Sequence, residues 1–485
     1  MSTSATTNPT GGAGTAEPVG TNRWYLSSAP MLRALLHLCV PMAAAMVVSA
    51  VYNVVNAGFI GSLHDSALLA AVTLGAPLLA VVMAVGGMFG VGGGALISRL
   101  LGATEHDPTQ AGQIRRVSSF ALWGSVVTGA AISVVGLVLL DPLVSLLGAD
   151  SAAAPATRAF VGTLLVFVPV FAAAFCLEQL VRAEGAARQV MTALVVSTVA
   201  NVVLDVLFIL VLHRGVAGAA LAMGLSNVVT VVYLAGWLHR SSQHVRLSPR
   251  WFTLSSTVLR PVLGVGVSEL FQASFLVVTS LVLNNLAATY GDTALAAMGV
   301  AVRVAQVPEF LVMGVTLGVL PLFAYAYGKG DRERLASALR VSAITVGSIV
   351  LVSAATAVVL REQLVSAFTA DRAVLAVGVT VLTAQVVAMV ANGFAGLLTS
   401  YFQATGRTVP AIVMSTAQGV LFVPVVLAGH VWFGLPGIIW SLTVSEGVVL
   451  VVGIALWFGY RRSIDRGLAE GSPERAEAAL EQADA

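Results

Sequence analysis

The sequence predicts an all-α integral membrane protein of about twelve transmembrane helices, built as two parallel six-helix repeats. Three observations carry this. Of 485 residues, 58% are hydrophobic and only 10% charged, with a mean hydropathy of +0.92. Soluble proteins carry about 25% charged residues, so too few charges remain to coat a water-facing surface of this size. The apolar runs reach the roughly 20 residues that a helix needs to cross a bilayer core of about 30 Å. The basic residues are confined almost entirely to alternate loops.

Taken in order, the first 30 residues are polar and rich in Thr, Gly and Ala, and are expected to be a disordered cytoplasmic tail. Apolar spans follow near 32–57, 68–99, 117–140, 159–181, 190–212 and 216–238, giving a first six-helix bundle over 31–240. A polar linker over 241–257 is expected to be cytoplasmic. Spans near 258–287, 294–327, 340–360, 373–400, 409–429 and 435–460 make a second bundle over 258–460. The charged, Ala-rich residues 461–485 read as a cytoplasmic tail. Runs such as Val190–Leu212 show no alternation. A transmembrane barrel would alternate lumen and lipid positions, so the spans are helices, whose peptide groups bond within their own segment.

Local features exclude other classes. The glycine-rich stretch Val85–Gly94 lacks the flanking strand and Lys of a phosphate-binding loop, and fits close helix packing instead. Cys39 and Cys176 both fall in apolar spans and form no disulfide framework. The histidines show no metal-binding spacing, no nucleophile stands at readable spacing from a base, and no basic patch interleaved with aromatics suggests nucleic acid. The chain reads as neither an enzyme nor a metalloprotein.

Charge sets the topology. With these spans, 20 of the 25 Lys and Arg fall on the side of the N-terminus and the even-numbered loops, whereas Arg158, Arg214, Arg361 and Arg372 fall on the other and Arg303 lies within a span. The positive-inside rule then places both termini in the cytoplasm.

The halves repeat one another. Gly102 in I-S-R-L-L-G corresponds to Gly328 in F-A-Y-A-Y-G. Arg182–Gly185 (R-A-E-G) corresponds to Gln403–Gly406 (Q-A-T-G), and Gly218 and Ser226 to Gly437 and Ser445. An even number of spans per repeat inserts both halves the same way up, about an axis along the membrane normal.

Several segments in order carry a family resemblance. They are Pro41 followed by Y-N-V-V-N-A-G-F-I-G (Tyr52–Gly61), R-A-E-G, N-V-V-L-D (Asn201–Asp205), G-V-A-G-A-A (Gly215–Ala220), P-L-F-A-Y-A-Y-G-K-G-D and Y-F-Q-A-T-G. From about Leu36 to Trp457 the chain resembles the multidrug and toxic compound extrusion (MATE) transporters, more closely their DNA-damage-inducible-protein-F-like branch. The resemblance implies a V-shaped pair of bundles around a central cavity. It also implies cation-coupled efflux of organic, often cationic and amphipathic, molecules across the plasma (inner) membrane. The coupling ion would be a proton or Na+, no cofactor is expected, and a monomer is favoured. A flippase for a lipid or lipid-linked intermediate, or a non-transporting subunit, is the alternative.

Ionisable residues deep in a span are costly and are candidates for function. Five acids qualify: Glu178, Asp205, Glu269, Glu309 and Glu446. Asp205 lies well inside the fifth span, with Asn201 one helical turn earlier on the same face, and matches the family's N-x-x-x-D as the cation-coupling carboxylate. In the first span the family has Tyr-x-x-x-Asp beyond a helix-bending proline. Tyr52 and Pro41 match, but position 56 is Asn, which cannot titrate. Met223 stands where the family commonly has Thr. The expected coupling site is therefore Asp205, Asn201, Tyr52 and Asn56, with Pro41 as the bend and Asp205 carrying the proton largely alone. Glu269 and, three residues on, Gln272 form a second candidate site for substrate or proton. Glu178, Arg303, Glu309 and Glu446 are read as structural.

Overall fold

The computed structural model describes residues 18–62, 66–147, 154–367, 369 and 371–470. The helices are α1 (Asn22–Ser27), α2 (Met31–Ser62), α3 (Ser66–Ala103), α4 (Ala111–Val138), α5 (Leu140–Leu146), α6 (Ala154–Ala183), α7 (Ala187–Asp205), α8 (Gly215–Ser241), α9 (Ser256–Ala288), α10 (Asp292–Lys329), α11 (Arg332–Val359), α12 (Arg361–Ser366), α13 (Arg372–Ala404), α14 (Thr408–Phe433) and α15 (Leu435–Glu470). Among the described residues, twelve helices are long and apolar enough to cross a membrane. They match the twelve expected spans one for one.

The two halves pack alike. In the first, α3 packs on α4 and α6, α6 on α4 and α8, α7 on α8, and α2 on α7. In the second, α10 packs on α11 and α13, α13 on α11 and α15, α14 on α15, and α9 on α14. Every pair in one half has its counterpart in the other, as a six-helix repeat requires.

The bundles meet through α2 and α3 on one side and α9 and α10 on the other. Small residues make this possible, because two apolar helices in lipid gain mainly from close approach. A Cβ on Gly92 would lie 1.9 Å from the Val262 carbonyl oxygen, and one on Gly266 would lie 1.8 Å from that of Met88. Gly328 stands equally close to Arg99, and Gly318 lies against Cys39, whose thiol donates to the Val315 carbonyl at 3.6 Å. These contacts lie toward the face that carries both described chain ends. The apolar core divides accordingly. One large cluster near that face draws on both bundles, including Leu38, Val91, Val262 and Phe323. Further away the core splits into one cluster within the first bundle, around Phe160 and Phe171, and another within the second, around Met298 and Phe422. The result is a V closed at the terminal face.

Three expectations need correction. Residues 1–30 are not uniformly a disordered tail: α1 is capped by Thr21, and Leu26 is buried. The Arg334 guanidinium donates to the carbonyl oxygens of Tyr25, Leu26 and Ala29, which ties this segment to the second bundle. Residues 1–17 and 471–485 lie outside the described residues. The C-terminal tail does not begin at Arg461, because α15 continues to Glu470. Its last turns bury Ile464 and Leu468, and Arg407 donates to the Ser463 carbonyl at 2.5 Å. The fifth span is not one α-helix, because α7 ends at Asp205 and a π-helical stretch covers Val206–Val211.

The linker between the bundles is strapped to α4. Ser118 accepts from the Arg246 amide at 3.2 Å, Ser119 donates to the Ser248 carbonyl at 2.9 Å, and the Trp123 indole to the Leu247 carbonyl at 2.8 Å. Its start is held by Ser242, which accepts from the Val245 amide and donates to the Glu184 carboxylate. Burial pushes the Glu184 carboxyl up to about 7, while the Ser242 hydroxyl and Arg23 pull it down.

Two predictions follow from this architecture. Gly318→Val, made with Cys176→Ala, should wedge α10 off α2 and raise the rate of Cys39 alkylation at least about tenfold, since overpacking costs roughly 1–3 kcal/mol. Mass spectrometry of the labelled protein reads this, and an unchanged rate would mean that the seal is not tight there. Because Glu184 holds its proton more firmly folded than unfolded, its contribution is fully present below about 4.5 and is lost as pH rises through about 7. Glu184→Gln should flatten the fall in melting temperature between those values.

Candidate cation and substrate sites

The first candidate site is built across three helices of the first bundle. Tyr52, in the second half of α2, donates its hydroxyl hydrogen to the Asn201 side-chain oxygen on α7. The Asn201 amide donates in turn to the Ser226 hydroxyl on α8 at 3.3 Å, and Ser226 donates to the Met223 carbonyl at 2.9 Å. Ser197, one turn before Asn201, donates to the Ser226 backbone carbonyl at 2.9 Å. Asn201 thus has a donor on one side and an acceptor on the other, the use for which an amide is suited. Met223 enters this chain through its backbone, so the missing Thr hydroxyl does not break it.

Asp205 lies one turn beyond Asn201, is 6% exposed, and is within electrostatic reach of Tyr52. It is the last α-helical residue before the π stretch, where the Leu212 amide bonds to the Leu207 carbonyl at 2.9 Å. Such wide turns occur often at functional sites. The structure therefore brings together Asp205, Asn201 and Tyr52, and adds Ser226, which the sequence had offered only as a repeat marker. Asn56 lies on α2 one turn past Tyr52, but its side chain is outside the described residues. Pro41 sits within the uninterrupted α2, where it removes one backbone donor.

The second candidate site lies at the apex of the V. Glu269 is the fourteenth residue of α9, roughly 20 Å along the helix from the terminal face. It is half-buried, and its carboxylate accepts from the Gln403 amide at 2.9 Å; the same amide reaches the Ser268 hydroxyl at 3.1 Å. Gly87 of the first bundle leaves room for it: a Cβ there would lie 3.5 Å from that of Glu269. Buried Arg182, on α6, lies within electrostatic reach of both Glu178 and Glu269, and one of its terminal nitrogens has no hydrogen-bond partner. Gln272, three residues along α9 toward the open end, is exposed.

Arg182 and Gln403 were not expected as site residues. A signal existed, because they occupy equivalent positions in the two repeats. The structure shows that the two equivalent residues approach one carboxylate from opposite bundles. Glu178, read as structural, belongs to this cluster through Arg182. Glu446 is buried against Gln418 and Asn392 within the second bundle, near Glu309. Arg303 is exposed on α10. Among the described residues no group of His, Cys, Asp and Glu is arranged to hold a metal ion.

Two parallel bundles closed at one end, with carboxylates at the apex and within the bundles, define a secondary transporter of the alternating-access type. The chain belongs to the MatE family, whose model matches residues 41–207 and 266–427, one segment in each bundle. It is 31% identical over 447 residues, covering 92% of this chain and 98% of the relative, to the multidrug export protein MepA of Staphylococcus saprophyticus. Its fold is that of the crystal structure of a MATE in complex with MaL6, at a TM-score of 0.84 and 24% identity, covering 91% of this chain and 99% of that one. It is equally that of the outward-facing conformation of a MATE family multidrug transporter, at 0.83 and 24%, covering 91% and 98%.

Removing one end of the Tyr52–Asn201–Ser226 chain tests whether it holds α2 to α7. Tyr52→Phe should lower stability by about 1 kcal/mol, the net worth of a hydrogen bond, and Tyr52→Phe with Ser226→Ala should cost less than the sum of the single changes. Unfolding in detergent measures both.

Proposed function

We propose that this chain is a proton-driven efflux transporter that exports organic, often cationic and amphipathic, compounds across the plasma membrane, with both termini in the cytoplasm and the monomer as the working unit. The observation that carries the reading is the placement of Asp205. It is a buried carboxylate at the end of α7, beside the side-chain bridge that ties α2 to α7 and α8.

Asn56 cannot exchange a proton, so in the first bundle the change of charge falls to Asp205. A charged carboxylate needs donors or water around it, whereas a neutral one can donate a hydrogen bond of its own. Adding or removing the proton therefore changes which partners suit Asp205, and α2 is the neighbour that the Tyr52 hydroxyl ties to its helix. A shift of α2 alters its contact with α10, because Gly314 and Gly318 lie against Ala43 and Cys39. That contact is part of the seal. Protonation inside one bundle is thus coupled mechanically to the closure between the two.

With both termini in the cytoplasm, the closed end of the V faces the cytoplasm and the described state is open to the outside. The relatives named for multidrug export support a substrate range of this kind. Glu269 at the apex gives a cationic substrate a counter-charge at the deepest point it can reach from outside, and Gln403 holds that carboxylate in place. A proton is preferred to Na+ as the driving ion because Asp205 is the one acid in the described Tyr52–Asn201–Ser226 cluster, whereas a bare cation needs several oxygen ligands.

The test uses the purified protein in proteoliposomes under an imposed pH gradient, with an internal pH dye and added ethidium. Wild type should show substrate-dependent proton flux that is abolished in Asp205→Asn. Glu269→Gln should weaken the apparent affinity for ethidium about tenfold, the loss of one charge-assisted contact, while keeping the flux. Proton flux unchanged in Asp205→Asn would overturn the assignment of the carrier.

A further inference from the structure

The short helix α1 touches both bundles at the terminal face. On the first bundle, the Tyr25 ring stacks on the imidazole of buried His37 of α2, ring centres 3.7 Å apart. The Arg23 guanidinium reaches the Thr104 hydroxyl, just past α3, at 3.5 Å. Gly185, in the turn between α6 and α7, has a φ of +79°, and a Cβ there would lie 2.9 Å from the Asn22 carbonyl oxygen and 3.2 Å from the Leu26 side chain. Only a residue without a side chain lets α1 lie this close. On the second bundle, α1 packs against α10, and Leu26 is fully buried in the core that both bundles share.

The C-terminal end of α1 is held from across the seal. The last carbonyls of a helix have no partner within it. Here the Trp24 carbonyl accepts from the Ser28 and Ala29 amides, both at 2.9 Å. The next two carbonyls, Tyr25 and Leu26, and that of Ala29 beyond them, accept from the single guanidinium of Arg334 at 2.9, 2.6 and 3.1 Å. Arg334 stands in the first turn of α11, where its backbone amide donates to the Asp331 carboxylate at 2.8 Å. A planar fork that fills three carbonyls is a firmer tie than an exposed ion pair, because its donors are charged and its acceptors are fixed main chain. Residues 28–30 alone separate α1 from α2. α1 therefore moves with the first bundle and Arg334 with the second.

We propose that α1 is a latch on the terminal face. Capping of its last carbonyls by Arg334 stabilises the state closed at that face, and these bonds break whenever the bundles separate there. The bonds exist in the closed state alone, so their loss shifts the population toward the state open at this end. α1 acts in this way only where the two bundles part at the terminal face, as alternating access requires; which residue carries the proton does not enter. The segments that the family model matches begin at residue 41 and leave α1 out.

Cys39 reports the opening, because it lies in the seal against Gly318. Inside-out membrane vesicles carrying the full-length protein with Cys176→Ala are treated with a membrane-impermeant maleimide, and mass spectrometry follows the labelled fraction over time. Arg334→Gln should label about tenfold faster than its parent, the shift expected when a charged donor is lost from the closed state alone. Arg334→Lys should fall between the two, since an ammonium lacks the fork that spans three carbonyls. Arg332→Gln, which loses only an exposed pair with Asp465 inside the second bundle, should leave the rate unchanged. A melting curve shows that each variant is folded, and Leu26→Ala loosens the latch from the α1 side should Arg334→Gln be unstable. Opening one end closes the other, so the distance between spin labels at Leu146 and Val359, on a background of Cys39→Ala and Cys176→Ala, should shorten in Arg334→Gln. Labelling of the parent that folded Arg334→Gln and Leu26→Ala leave unchanged would overturn the latch and leave alternating access standing. Faster labelling with an unchanged spin-label distance would reduce the effect to fraying of α1 and overturn it as well. No labelling in any of these proteins would overturn both.

Discussion

The structure depends on how closely α2 and α3 approach α9 and α10. In lipid there is no hydrophobic force to drive two apolar helices together. The bundles hold to one another because glycines at 92, 266, 314, 318 and 328 let backbone meet backbone. This contact is broad yet made of small groups, so no single deep interaction locks it. A seal of that kind can separate as a unit, which alternating access demands. It also fixes where the V closes and hence where its apex and Glu269 lie.

The polar groups are distributed around that constraint. The first bundle holds its carboxylate internally, at the end of α7, and the link from α7 to the seal passes through α2. The apex carboxylate is shared, with Gln403 on one side and Arg182 on the other. Around the terminal face, longer side chains reinforce the closure. Lys329 pairs with Glu105 at 2.6 Å across the two bundles, Tyr325 donates to the same carboxylate, and Arg334 holds α1. Such partly exposed ion pairs are individually weak, so they bias the closed state without making it permanent.

Much of this was legible in the sequence because lipid imposes simple rules. Span number, the repeat and the parallel orientation follow from apolar length and the placement of Arg, which have few competing explanations. Asp205 stood out because a carboxylate in an apolar span needs a reason. The remainder depended on tertiary proximity. Nothing local announces that Val206–Val211 widens into a π-helix, or that α15 outlasts its apolar stretch because Ile464 and Leu468 are buried. The order of α1 is set by Arg334, some three hundred residues away. Arg182 and Gln403 were visible as repeat equivalents, but the carboxylate on which they converge belongs to neither motif.

The central claim is that the proton state of Asp205 sets the opening between the bundles. The most direct measurement is the distance between spin labels at the exposed positions Leu146 and Val359, at the open ends of the first and second bundles, on a background of Cys39→Ala and Cys176→Ala. The wild-type distance distribution should change with pH, and in Asp205→Asn it should stay fixed at all pH values. A pH response that persists unchanged in Asp205→Asn would contradict the account.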